Sequence, residues 1–386
     1  MKDLQVRLQL WRLQAAKRGR EGYGRGLVFT AVSVLLIILG RNALVAPREK
    51  FIRVVPPPTS VLHPNTPMQA SLNSDITFSS RALAGRFTEY SELFPQHGKD
   101  EPGQHYRIEN TELLAQEENR QNDSLLLITV FNGADSWGTN RTVADFFPLV
   151  ESMNFPNEKT SIALLTSSEI AFEEVKGIFA DQIHQYAQLS VIFRNDFTPQ
   201  GLTRDNRHDD NLQANRRRMI ARYRNYALLS TLQTWHQHVV WLDADIVSIP
   251  PDLVFKMAQS GLDIVHPLCA RGNWYVYDLN AWVGHRKVRP ALPTGFVPGP
   301  LSVRNMQDLN AETEAVVPLD SVGGAMLYVR ADVHRQGVIF PSHYVIGSEW
   351  GAEGYDGIET EGICYSAHFL GFKCWGMPQE IVDHAE

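Results

Sequence analysis

Cysteine is scarce in this chain of 386 residues, with Cys269, Cys364 and Cys374 the only three. They are too few and too scattered for a disulfide framework or a zinc cluster, which need even counts or CxxC-type spacing. Two readings remain open: one bridge, Cys364 to Cys374, in an oxidising compartment, or three buried free thiols. Positive charge is also wanting. A net charge of −7 offers no overall attraction to nucleic acid, although a local arginine cluster can still hold a small phosphate-bearing anion. Neither GxGxxG nor GxxxxGK[ST] occurs, which argues against a classical dinucleotide domain and a P-loop. No internal repeat or low-complexity tract interrupts the folded part.

What is present is an ordinary globular balance, 44% hydrophobic and 20% charged, preceded by one long apolar run. Gly26 to Gly40 is uncharged and apolar on every side. At about 1.5 Å per residue it falls short of a hydrocarbon core about 30 Å thick. Arg25 and Arg41 at its ends can snorkel, and Asn42 to Ala46 extend the span. A long polar segment precedes the run and no small-x-small cleavage site follows, so a signal anchor is favoured over a cleaved signal peptide. Lys2, Arg7, Arg12, Lys17, Arg18, Arg20 and Arg25 outnumber the basic residues just beyond it. The expected organisation is therefore a cytosolic tail 1–25, a transmembrane signal anchor 26–46, a stem 47–122 and a lumenal domain 123–386. The stem is read from Pro56-Pro57-Pro58 and the lack of a sustained apolar period, with one short helix near Thr111 to Asn119. Asn122-Asp-Ser124 and Asn140-Arg-Thr142 are glycosylation sequons that a lumenal domain can carry.

From Ser124 onward strands alternate with helices. Strands are expected at Leu125 to Phe131, Ser161 to Leu165, Leu189 to Phe193, Val239 to Leu242 and Asp263 to His266. Helices are expected at Val143 to Met153, Glu169 to Gln188 and Asn215 to Trp235. That alternation predicts an α/β fold with a largely parallel sheet covered on both faces. Phe131-Asn132-Gly133-Ala134-Asp135 forms a turn-rich loop at the edge where such folds bind nucleotides.

The chemistry concentrates after the run His238-Val-Val-Trp-Leu242, which ends in Asp243-Ala-Asp245. Acids just past a buried strand open into the ligand crevice, and paired carboxylates suit Mg²⁺ or Mn²⁺ bridged to a diphosphate. The competing reading is a capped turn ahead of the helix that Pro250-Pro251 introduces. Arg218, Arg222 and Asn225 share one helical face, able to neutralise a diphosphate or simply to be solvated. Asp278 and Asn280 lie in an aromatic-rich stretch, Asn273 to Trp282, suited either to sugar hydroxyls or to core packing. Asp320 precedes Gly323-Gly324, where backbone can approach a ligand closely. Glu359 and Glu361 belong to a glycine-rich acidic stretch able to supply a catalytic group. His384, near the end of the sequence, is a third metal ligand if the tail folds back, and otherwise part of a frayed terminus.

In these residues the chain is similar to the fungal Anp1/Mnn9/Van1 family of Golgi α-mannosyltransferases, over roughly Ser124 to His384. The elements are Met219-Ile-Ala-Arg222-Tyr-Arg224-Asn225, Trp241-Leu-Asp243-Ala-Asp245, Tyr277-Asp278-Leu-Asn280-Ala-Trp282, Asp320-Ser-Val-Gly323-Gly324 and Glu359-Thr-Glu361-Gly362. Leu242 and Ser321 depart from the family pattern, which commonly has Arg and Gly there. The resemblance implies a GT-A type Rossmann-like domain in a single-pass type II Golgi membrane protein, with GDP-mannose as donor, retention of the α configuration and N-glycan or mannan acceptors. It implies Mn²⁺ on Asp243, Asp245 and His384, and hetero-oligomers with related mannosyltransferases. Donor binding is expected from Arg218, Arg222, Asn225, Asp243 and Asp245, acceptor binding from Asp278 and Asn280, and catalysis from Asp320, Glu359 or Glu361. The alternatives are a weakly active structural subunit and, less favoured, a nucleotide phosphohydrolase.

Overall fold

Four apolar runs make the centre of the sheet. They are β4 (Leu125–Phe131), β5 (Thr160–Thr166), β6 (Gln188–Phe193) and β7 (His238–Leu242), and nearly every residue in them is buried. They pair in parallel in the order β6-β5-β4-β7. A parallel strand buried on both faces has no polar side to alternate, hence the continuous hydrophobic runs. The two faces still obey the two-residue period. Leu125, Leu127, Val240 and Leu242 join one core cluster, and Leu126, Ile128, Val239 and Trp241 join the other. The helix Glu169–Gln182 seals the first with Phe172, Val175 and Phe179; the helix Asp210–Thr231 seals the second with Ala221, Ala227 and Leu228.

The computed structural model describes residues 77–385 apart from 84, 200, 203–205, 207–209, 273–274, 285–302 and 352. These described residues belong to one compact unit, Ser71–Glu386. The expected cytosolic tail and membrane span, and the stem as far as residue 76, lie outside the described residues. Among the described residues no helix is long and apolar enough to cross a membrane.

Antiparallel strands extend the sheet on both sides. On one side lie β1 (Thr77–Leu83), β2 (Phe87–Phe94) and β3 (Gly103–Asn110), with β3 paired to β6. On the other lie β9 (Ile264–Arg271), β13 (Val317–Leu319), β14 (Met326–Arg330) and β15 (Cys374–His384), in the order β7-β14-β9-β15-β13. β8 (Ile246–Ser248) pairs with β15 and β10 (Tyr275–Val276) with β9; β11 (Trp282–Gly284) and β12 (Val303–Asn305) form a separate pair.

Three expectations change here. The sheet is mixed rather than largely parallel, because β14 runs antiparallel to both β7 and β9. The stem expected to reach residue 122 overlaps the sheet from Thr77 on. These strands sit at the solvated rim and carry mainly polar residues, so their composition resembles a linker. Phe94, Tyr106 and Ile108 are buried in the core, and Leu83 and Phe87 pack against it half-buried. The single short helix expected at Thr111 to Asn119 is two, Thr111–Ala115 and Glu117–Gln121. Of the readings for cysteine, the bridge holds: Cys364 and Cys374 are joined, and Cys269 is free and buried.

Trp241 locks β7 to the segment behind it. Its indole N–H donates to His334 Nε2 at 3.1 Å, while His334 Nδ1–H donates to the Val338 carbonyl at 2.6 Å. Burial pulls the His334 pKa down to about 4, so the neutral imidazole fills both roles. Trp241→Phe leaves a buried ring nitrogen without its donor and a cavity against Phe340. We expect a loss of about 2–4 kcal/mol, read by urea unfolding.

Candidate active site

The sheet changes direction of growth between β4 and β7: β5 and β6 build outward from one side of β4, and β7 lies on the other. Loops at the carboxyl ends of two such strands part and leave a crevice. A cleft of about 520 Å³ opens there, lined among others by Asn132, Asp135 and Ser136 after β4 and by Asp243 and Asp245 after β7. Ser136 fixes the first loop by accepting from the backbone N–H of Asn132 at 3.1 Å, and Thr166 donates to the Asn132 carbonyl at 2.7 Å.

Arg224 is the buried charge at the base of this site, 6% exposed. Its guanidinium donates to Asp243 Oδ1 at 3.1 Å and to the Gly324 carbonyl at 3.2 Å, pairs with Glu359, and lies 5.2 Å from the centre of the Phe340 ring. Burial opposes its charge, but Glu359, Asp243 and Asp278 outweigh that and keep it protonated. Glu359 is held in the left-handed region at φ 59°, just before the helix Thr360–Phe369. A non-glycine residue there carries strain that its surroundings must impose, and they do so here. Its N–H donates to Pro341 O at 2.9 Å and its carboxylate accepts from Thr360 at 2.9 Å as well as from Arg224.

Asp278 organises the glycine turn. Its Oδ2 accepts from Gly324 N at 2.7 Å and Ala325 N at 3.2 Å, and its Oδ1 from Asn280 N at 3.1 Å. A Cβ on Gly323 would lie 1.9 Å from that carboxylate, and one on Gly324 2.7 Å from the Arg224 guanidinium. Both glycines are therefore required by close approach. The turn in turn fixes the acids after β7, since Asp243 N donates to Ala325 O at 2.9 Å.

His384 enters from the far end of the chain as the last residue of β15, not as a frayed tail. Registration against β9 and β8 puts it beside Arg271 and Ile246. Its Nε2 lies 3.0 Å from Asp245 Oδ2, and its ring lies tilted against that of Tyr277, 3.9 Å between centres. Burial lowers its pKa, but the bond to Asp245 and the charges of both aspartates raise it on balance. Asp243 has the opposite problem. Burial, with Asp245, Asp278 and Glu359 adding to it and Arg224 opposing, pushes its carboxyl up to about 7.

The donors suit a divalent cation in kind: two carboxylates and an imidazole on one wall, with more negative charge than Arg224 offsets. As they stand, no three His, Cys, Asp or Glu groups among the described residues are arranged to hold a metal ion. Asp245 and His384 face each other, while Asp243 is turned to Arg224.

The other predicted residues fall differently. The helix Asp210–Thr231 turns Arg216, Met219, Ile220, Tyr223 and Arg224 to the cleft. Arg218 pairs instead with Glu353 and Asn215, Arg222 is exposed away from the lining, and Asn225 clamps both backbone groups of Phe340 at 2.7 and 2.9 Å. The stripe that lines the cleft is instead the one that Met219 and Tyr223, spaced with Arg216, mark. Asp320 accepts from Gly284 N at 2.8 Å and does not line the cleft, and buried Glu361 pairs with Arg217 at 2.9 Å. Tyr277, part of the aromatic-rich stretch, lines the cleft, and so does Arg271, which no motif marked; Arg271 ends an apolar strand much as Asp243 follows one, which was the available signal.

The fold and its crevice define a mixed α/β domain with an acidic pair and arginines at the switch point of its sheet. The chain belongs to the Anp1 family, whose model matches residues 102–293 and 301–344, more than half of its length. It is 29% identical over 215 residues to the mannan polymerase complex subunit mnn9 of Schizosaccharomyces pombe, covering 52% of this chain and 61% of that protein. It is 24% identical over 265 residues to the mannan polymerase II complex anp1 subunit of the same yeast, covering 62% and 60%. It is 26% identical over 214 residues to the mannan polymerase I complex VAN1 subunit of Saccharomyces cerevisiae, covering 50% and 38%. The chain thus spans less than two thirds of each of these relatives. A solved mannosyltransferase, PcManGT from Pyrobaculum calidifontis in complex with GDP-Man and Mn²⁺, is similar at TM-score 0.40 and 12% identity over 68% of this chain and 56% of that one.

The raised Asp243 pKa has a definite sign in stability. Between the unfolded value of 3.8 and about 7 the folded state holds the extra proton, so stability falls as pH rises through that window in metal-free protein. Asp243→Asn removes this titration, and it also takes a negative partner from buried Arg224. Its melting temperature without metal should therefore fall less between about pH 4 and pH 8 than that of the parent, and an equal fall would contradict the shift.

Proposed function

We propose that this chain is a metal-dependent glycosyltransferase of the GT-A type, a retaining α-mannosyltransferase that moves mannose from GDP-mannose to mannose residues of N-glycan outer chains. One observation carries this reading: a single cleft at the switch point holds Asp243 and Asp245 together with Arg216, Arg224 and Arg271. Acids for a cation and arginines for phosphate in one crevice suit a nucleoside diphosphate sugar. The relatives named as mannan polymerase subunits support mannose as the sugar.

Asp243, Asp245 and His384 would hold Mn²⁺, which supplies positive charge to a departing diphosphate. Arg216 and Arg271 flank the same space and bind phosphate oxygens. Arg224 holds Asp243 in place from beneath, and Glu359 positions Arg224. Asp278 acts through the Gly323-Gly324 turn, leaving Asn280 and the Tyr277 ring to meet the acceptor sugar. Asp320 and Glu361, each bound to other protein groups, support the fold around the site.

The setting we propose is the Golgi membrane, single-pass type II, with this domain in the lumen and related subunits in a hetero-oligomer. The bridge between Cys364 and Cys374 supports an oxidising compartment, and the relatives' names support a complex. A second reading, a structural subunit with little catalysis of its own, is favoured by one observation: Asp243 is engaged by Arg224, and no three groups among the described residues are arranged for a metal.

The test uses full-length chain with Mn²⁺ or EDTA, assayed for transfer from GDP-mannose to an α-mannoside. We expect metal-dependent transfer that drops roughly 100-fold in Asp245→Ala. Metal-dependent donor binding without transfer, alone and with partner subunits, favours the structural reading. Full transfer by Asp245→Ala contradicts the proposal.

A further inference from the structure

The two Asn-x-Ser/Thr triplets are not used by the proposed transfer, and the fold treats them differently. At the first, Asn122 Nδ2 donates to Glu118 at 2.7 Å. Asp123 stands at φ 56° with its carboxylate 3.3 Å from His238. Ser124 is fully buried and donates to the Trp235 carbonyl at 2.6 Å. A sugar on Asn122 would remove an N–H from that arrangement and crowd the helix Glu117–Gln121.

At the second, Asn140 is exposed on a tight turn at φ 56°. The turn is fixed on both sides without using the Asn140 amide. Arg141 donates to the Trp137 carbonyl at 3.0 Å, and Thr142 caps the next helical turn by accepting from Ala144 N at 3.2 Å. Asparagine tolerates this left-handed backbone better than most residues. The neighbouring Gly138 and Thr139 line the cleft. A Cβ on Gly138 would meet that of Ala385 at 2.8 Å, so the turn lies against the residue that follows His384.

We propose that Asn140 is an N-glycosylation site whose glycan borders the cleft. The inference rests on the lumenal placement proposed above. The donor is a lipid-linked oligosaccharide diphosphate, used by the host's own oligosaccharide transferase. The Asn140 amide nitrogen attacks the anomeric carbon, a C–N bond forms, the C–O bond to phosphate breaks, the amide loses a proton and the lipid diphosphate departs. A hydrated oligosaccharide at the rim narrows the approach of a long mannan acceptor far more than that of a nucleotide sugar.

The full chain, expressed in yeast with a second sequon in a flexible tag after residue 386, is digested and mapped by mass spectrometry after enzymatic deglycosylation in heavy-oxygen water. We expect the label on Asn140, and its loss in Asn140→Gln and in Thr142→Ala. An unlabelled Asn140 beside a labelled tag overturns this inference alone. Absence of label at both overturns it together with the lumenal placement. Label on Asn122 only also overturns it. In transfer assays, Asn140→Gln should lower the KM for a long mannoside severalfold and leave that for GDP-mannose unchanged; an unchanged acceptor KM with Asn140 occupied overturns the bordering role.

Discussion

A guanidinium removed from water must be surrounded by compensating groups, and Arg224 is built into this domain on that condition. Its partners come from three distant parts of the chain: Asp243 after β7, the Gly324 carbonyl before β14, and Glu359 before the helix Thr360–Phe369. Breaking a buried pair from one side costs about 3–5 kcal/mol. The three segments therefore hold one another at a common point. The strained backbone of Glu359 is explained by the same condition, because the carboxylate must reach the guanidinium from a segment anchored to Pro341.

The acids of the cleft follow from this centre. Asp243 is tied from below by Arg224 and from its backbone by Ala325, and the Ala325 turn is tied by Asp278. Asp245, two residues on, is left to His384. The disulfide adds a second brace, joining the helix that begins after Glu359 to the start of β15, the strand that ends in His384. Burial and the surrounding carboxylates push the thiol pKa of Cys269, on β9, up.

Much of this was legible in the residues. The runs at Leu125, Ser161, Leu189 and Val239 announced buried strands because burial on both faces leaves no polar alternation to confuse them. Asp243, Asp245 and the loop at Asn132 were located by their position just past such runs. The rim strands β1 to β3 were not legible, because a solvated meander has the composition of a linker and only its pairing with β6 reveals it. Which helix face lines the cleft was not legible for a related reason: Arg218 and Arg222 satisfy a cationic stripe as well as Arg216 and Arg224 do, and only tertiary packing selects between them. Asp278, Asp320 and Glu361 are each engaged within the fold, which the sequence does not reveal, since a carboxylate's appetite for backbone N–H groups and arginines looks the same there as its affinity for substrate.

The central claim is that the acids and arginines of one cleft bring a divalent cation and a sugar-nucleotide diphosphate together. Paramagnetic broadening of the two ³¹P resonances of GDP-mannose by substoichiometric Mn²⁺ measures this contact directly, because broadening beyond that in free solution requires the ion and phosphates to share a site on the protein. The account predicts protein-dependent broadening that is lost in the Asp245→Ala and Arg271→Ala variants. Broadening no greater than with Mn²⁺ and GDP-mannose alone, in a folded chain, would contradict it.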